Sequence, residues 1–341
     1  MFLRFKSSPY WLITALFLSG CLPSSCTRIE SKEISAADSL SRALAASFPV
    51  DTLTAIDRIQ PDSDLLVYPR TIGYDEQGLL WITDTAQHVV LSLGSDTDTL
   101  VPRDTIPDSY PYLAGFRAGS VFAFSPAFHQ VYELQQGRVT REIALQGDLP
   151  EKGGLRYAIA TDSGFAVKIA ANGFQSYIAR LSDQGAVDGR INLESEEWRY
   201  AGLLRASGDT LFSLAGYLPQ IDRWIGGELD SLSLIGFDSP MLARTRQFRS
   251  GDTDQPPLLT ASAIKAGDHW FVLNMRPGWT QIDVYSLGGS LQYILTEPNP
   301  AFNQEFFPTD IAVFALSDGG YHIAVSMVKP EPRIDRYYWH P

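Results

Sequence analysis

The chain has 341 residues, with 27 basic against 39 acidic side chains and a formal net charge of −12. That balance excludes a nucleic-acid surface, which needs Lys and Arg to neutralise phosphates. Both cysteines, Cys21 and Cys26, lie near the N-terminus, so the remaining chain must be held by an apolar core rather than by disulfides.

The first 20 residues read as an export signal. Arg4 and Lys6 form a short basic region, and Trp11 to Leu18 form an apolar core. A core of about eight residues is too short for a membrane-spanning helix, which needs about twenty, but it suits a secretory signal. It ends in Leu18-Ser19-Gly20-Cys21, which resembles the lipobox of bacterial lipoproteins. An ordinary signal peptide is the competing reading. The resemblance implies cleavage before Cys21, acylation of its thiol and membrane attachment through lipid. Leu22 rather than Asp follows the cysteine. By likeness to Gram-negative lipoproteins, this implies the outer membrane. Residues 21–47 are rich in Ser, Ala and charge and read as a tether, with a short helix expected over Ala36–Ser47.

Residues 48–341 repeat. Six copies of one loose pattern start near Arg70, Pro111, Arg156, Arg199, Thr260 and Thr309. Each holds short runs of Val, Ile, Leu and aromatics bounded by Gly and Asp turns, which is strand chemistry. The second run of each copy is apolar throughout, as in a strand buried on both faces. Its markers Trp81, Phe122, Phe165, Phe212, Phe271 and Tyr321 recur every 40–60 residues or so. Four strands at that period predict an all-β, six-bladed β-propeller of four antiparallel strands per blade. A β-sandwich, a two-sheet solenoid, or a propeller of five or seven blades are the alternatives. The last copy runs out of chain before its fourth strand. Asp51–Ile59 is therefore expected to pair with Arg333–Trp339 and close the ring, removing open sheet edges.

Copy one, "GLLWITDTAQHVV", resembles the NHL-repeat signature and, through Trp81-Ile82-Thr83-Asp84, the YWTD propellers. Copies two to six keep the hydrophobic rhythm and lose the Asp-Thr. The resemblance implies six blades and a structural Asp84 that bridges backbone amides. His88 and His129 occupy one repeat position and read as framework. No zinc, EF-hand, nucleophile-elbow or Cys-x-x-Cys pattern is present in the sequence.

In a propeller the first strands line a central channel, and ligands meet the fold at its mouth. Arg70, Arg156 and Arg199 each stand eight or nine residues before a turn glycine, at the entry to a first strand. Tyr157 and Tyr200 follow two of them. Arg276 and Asp310 fall at comparable places. Guanidinium groups bind carboxylates and phosphates bidentately. The expectation is thus a non-enzymatic scaffold that takes a small anionic ligand, an acidic peptide or a partner protein at this face, without a cofactor. The competing expectation is that these arginines pair with neighbouring acids. A gluconolactonase-like, metal-dependent hydrolase is the other reading. It would need Ca²⁺ held by oxygens such as those of Asn172, Asn274 and Asp310. Arg70, at the place where that family keeps a Glu, argues against a cation.

Overall fold

The computed structural model describes residues 46–59, 65–93, 100–150, 154–170, 175–193, 197–208, 210–254, 256–276, 278–300 and 306–341. The signal, Cys21, Asn172 and all but the end of the expected helix at Ala36–Ser47 lie outside the described residues.

Six sheets follow one another along the chain; the first five blades are each a four-stranded antiparallel meander, and the sixth contributes three strands and takes its fourth from the N-terminal segment. Blade one spans residues 69–105, blade two 112–144, blade three 155–192, blade four 204–233, blade five 260–296 and blade six 307–339. The second strands are buried along nearly their whole length, as their unbroken apolar runs require. The fourth strands are largely exposed, as in Arg138–Ala144 and Glu228–Ser233.

The core is a ring of six apolar clusters, one between each pair of neighbouring blades. The marker aromatics stitch these interfaces. Phe122 meets Phe165 at 5.5 Å, Phe212 meets Trp270 at 4.9 Å, and Phe271 meets Tyr321 at 5.0 Å. Tilted and edge-on contacts suit the ring quadrupoles. Gly73 has a steric reason, because a Cβ there would sit 2.8 Å from Leu113 Cδ2 of the next blade.

The ring closes through the N-terminal segment. Thr54–Ile59 pairs antiparallel with Arg333–Trp339, from Thr54 opposite Tyr338 to Ile59 opposite Ile334. The expected single strand is in fact two. Val50–Thr52 pairs in parallel with Ile294–Thr296 of blade five, and Leu53 turns inward between blades five and six. The segment therefore straddles two blades, because burying Leu53 breaks the strand.

One device recurs at the end of the second strand, where a polar side chain fastens the loop that enters the first strand of the same blade. Asp84 Oδ2 accepts from the Val67 and Tyr68 N–H groups at 2.7 Å each, and its Oδ1 accepts from Ala86 and Gln87 at 3.0 and 2.9 Å. Ser125 donates to Ser109 O at 2.6 Å, Ser213 to Gly202 O at 3.2 Å, and Asn274 to Asp238 O at 3.0 Å. Asp84 is structural, within its own blade. His88 and His129 share a left-handed backbone, with φ 56° and 52°, and their carbonyls accept from Ile106 and Leu145.

Candidate functional site: the channel and its entry

First strands carry a β-bulge near their entry ends in five blades. The register skips one residue at Arg70, Ala114, Arg156, Ala261 and Thr309. Blade four pairs its first strand without a skip. A bulge bends the strand and re-aims the extra side chain. Arg70 and Arg156 are thus equivalent positions, as their spacing to the turn glycines implied.

Arg70 is half-buried, with its guanidinium carbon 5.9 Å from the ring centroids of both Tyr68 and Tyr112. Tyr112 meets Tyr157 edge-on at 5.6 Å. Burial opposes the charge of Arg70, but the oxygens of Tyr157, Tyr112 and Tyr68 together outweigh it and hold the pKa above its ordinary value. Burial pushes the Tyr157 phenol up, against the pull of Arg70. Among the described residues, none of the ion pairs includes Arg70.

The other expected residues are distributed differently. Arg156 is exposed, and its Nε donates to Ala170 O at 2.8 Å. Arg199 grips Asp222 with two bonds of 2.9 and 2.8 Å, and Tyr200 is buried in the core between blades three and four. Arg276 donates to Asp238 Oδ2 at 3.0 Å, beside Trp279. Arg199 and Arg276 are therefore each neutralised by an adjacent acid.

Asp310 is fully buried on the channel wall. Its Oδ2 accepts from Ile72 N–H of blade one at 2.9 Å. Its Oδ1 accepts from its neighbour Ile311 N–H at 2.8 Å and from Arg205 Nη2, which reaches across from blade four. Arg205 was not singled out in the sequence, yet a signal exists. The first-strand residues paired with the six marker aromatics are Gly73, Gly115, Ala160, Arg205, Ile264 and Ala315. Where four copies keep a Gly or Ala at this register position, blade four places a guanidinium.

The channel encloses a cavity of about 300 Å³ lined by the first strands of all six blades or the residues leading into them, with Tyr74, Phe116, Tyr157, Arg205, Lys265 and Asp310 on its wall. Of its charged groups two are cationic and one anionic, in a chain of net charge −12. Behind Tyr157, the amine of Lys168 is fully buried 5.4 Å from the Tyr157 ring. It donates to Ser213 Oγ at 2.8 Å and to Gly202 O. Burial pushes its pKa down to about 7.

A resident divalent cation fits these residues poorly. Both oxygens of Asp310 are occupied by donors, one of them a guanidinium. Asn274 stands off the channel, bonded to Asp238 O and to Asp283 at 2.7 Å. Oxygen ligands free to converge are what a hard cation requires.

No protein-family model matches the chain, and no curated protein matches it in sequence. Solved structures do match in fold. Virginiamycin B lyase from Staphylococcus aureus, as a catalytically inactive variant with quinupristin, is 12% identical with a TM-score of 0.52, over 82% of this chain and 87% of that one. Regucalcin from Agrobacterium tumefaciens, a calcium-binding protein, is 10% identical with a TM-score of 0.51, over 86% and 98%. A luciferin-regenerating enzyme is 12% identical with a TM-score of 0.51, over 84% and 96%. At such identities the likeness is one of architecture.

Proposed function

We propose that this propeller is a binding module, tethered outside the cytoplasm by lipid on Cys21, that takes a carboxylate- or phosphate-bearing ligand at the channel entry. The observation that supports it is Arg70. It is half-buried among Tyr68, Tyr112 and Tyr157, whose oxygens favour its charge, with no carboxylate partner among the described residues to neutralise it. An anionic group laid on Arg70 would balance that charge, and the tyrosines would offer hydroxyls and ring faces to the rest of the ligand. Arg156 stands at the equivalent bulge of blade three, on the same entry. The excess of cations over Asp310 in the channel favours the same sign of ligand.

The test is a thermal-shift and calorimetric panel of inorganic phosphate, small mono- and dicarboxylates and an acidic peptide. It compares the wild type with Arg70→Gln. The reading requires at least one anion to bind the wild type and to lose tenfold or more in affinity in Arg70→Gln. Equal affinity for both proteins, or no anion bound by the wild type, would sink it.

A further inference from the structure

A second cavity lies away from the channel, in the cleft between blades four and five. It measures about 350 Å³, with Asp238, Arg276, Trp279, Gln281 and Asp283 on its wall and Val50 of the ring-closing segment at its rim. That volume falls within the roughly 300–1,000 Å³ typical of small-molecule sites.

Its chemistry differs from that of the channel. Arg276 is paired with Asp238, through Oδ2 at 3.0 Å and the main-chain oxygen at 3.2 Å. Asp283 is held by the amides of Asn274 and Gln281, each at 2.7 Å. Burial pushes its carboxyl up to about 6. The wall therefore offers neither a spare cation for an anionic ligand nor an isolated exposed anion for an ammonium group. What it offers is planar hydrogen-bonding groups beside an indole. Trp279 is half-buried, with the Arg276 guanidinium 5.9 Å from its ring. Two polar atoms in this cluster, Asn274 Oδ1 and Arg276 Nε, are buried with no hydrogen-bond partner.

We propose that this cleft binds a neutral saccharide ring. A pyranose has one face of C–H groups, which suits an indole. Its rim carries adjacent hydroxyls that both donate and accept, which suits carboxylate, amide and guanidinium groups lying side by side. Leu291 and Ile294 supply the apolar remainder of the wall. The site is independent of Arg70 and of the reading of the channel.

The experiment is an array of neutral and charged oligosaccharides probed with the full-length protein in detergent, followed by titration of the best neutral glycan. The expected result is a neutral glycan whose half-saturation concentration rises at least tenfold in Trp279→Ala and stays within threefold in Trp279→Phe. Gln281→Met, which keeps the indole and removes the amide, is expected to weaken binding at least fivefold, and Arg70→Gln to leave it unchanged. Hydrogen exchange with the glycan bound should slow in residues 278–283 and 50–52 and not along the channel strands. Retention of charged glycans alone, retention of none, or equal affinity in the wild type and both Trp279→Ala and Gln281→Met would overturn the proposal.

Discussion

Replacing Arg70 by Gln removes a half-buried cation that no described carboxylate balances, so the fold should tolerate it. The loss is the hydrogen bond to Tyr157, which the Gln amide can replace, and two cation–π contacts, with Tyr68 and Tyr112 at 5.9 Å each. At about 0.5–1 kcal/mol apiece they sum to about 1–2 kcal/mol. The gain is relief from the burial that opposes the charge, which for a partly buried group is of the same order. Gln also keeps part of the aliphatic stem. The net change should stay within about 1 kcal/mol, a shift of about 2–4 °C in Tm for a domain of this class. Arg199→Gln is the contrast. It strands Asp222, which is 1% exposed, although Gln220 and Ser231 still donate to that carboxylate at 2.8 Å each. Breaking a buried pair costs about 3–5 kcal/mol, and these two donors should reduce it to about 2–4 kcal/mol. Calorimetric melting of both variants, with and without a bound anion, separates the roles. An anion at a hundred times its Kd should stabilise the wild type by about 2.7 kcal/mol, and a tenfold weaker Arg70→Gln by no more than about 1.4 kcal/mol. If Arg70→Gln melts as low as Arg199→Gln, Arg70 is framework and the argument for the channel entry fails.

Lys168 should make stability depend on pH. Its folded pKa of about 7 lies below the ordinary lysine value of 10.5, so between these the unfolded chain binds the extra proton. Stability from this residue therefore rises as pH rises through that window. Urea titrations of wild type and Lys168→Met across it should show the wild type gaining relative to the variant; parallel profiles would refute the buried amine. Ring closure should rest on Leu53, 1% exposed, whereas Ile56 on the following strand is 44% exposed. Leu53→Ala should cost about 2–5 kcal/mol in urea unfolding, and Ile56→Ala no more than about 0.5 kcal/mol. Equal costs would mean the segment is not a closing latch. Cys21→Ser should move the protein from the membrane fraction to the soluble fraction on cell fractionation, and retention in the membrane would exclude the lipid tether.

Blade number, strand order and the closing partner of the last blade were legible because they rest on local chemistry. Six marker aromatics repeat within buried second strands, and turn glycines punctuate them. The recurring loop fastener was only partly legible. Asp84 announces it in blade one, while Ser125, Ser213 and Asn274 do the same task with different side chains and no common motif. The bulges were invisible as such, since an extra residue in a strand shows only against its partner's register. What the spacing did carry was their consequence, the equivalence of Arg70 and Arg156. Partners across blades were beyond reach. Nothing local connects Arg205 with Asp310, 105 residues on, or says that Asp222 will neutralise Arg199.

That last difference is also what sorts the arginines. Arg199 and Arg276 have acids placed to receive them, Arg205 has Asp310, and Arg333 has Asp335 at 2.9 Å. In a chain with 39 acidic side chains, a buried guanidinium has ample carboxylates from which a partner could be drawn. Charge matching of this kind is what a consistent framework looks like. A position that breaks the rule needs either a compensating gain in the fold or a partner from outside it. At Arg70 the compensation within the described residues is three tyrosines, which solvate a cation without neutralising it. The break falls beside Tyr112 and Tyr157, which line the cavity that all six blades share. A ligand there would touch several blades at once, so its binding energy would be spread around the ring rather than confined to one interface.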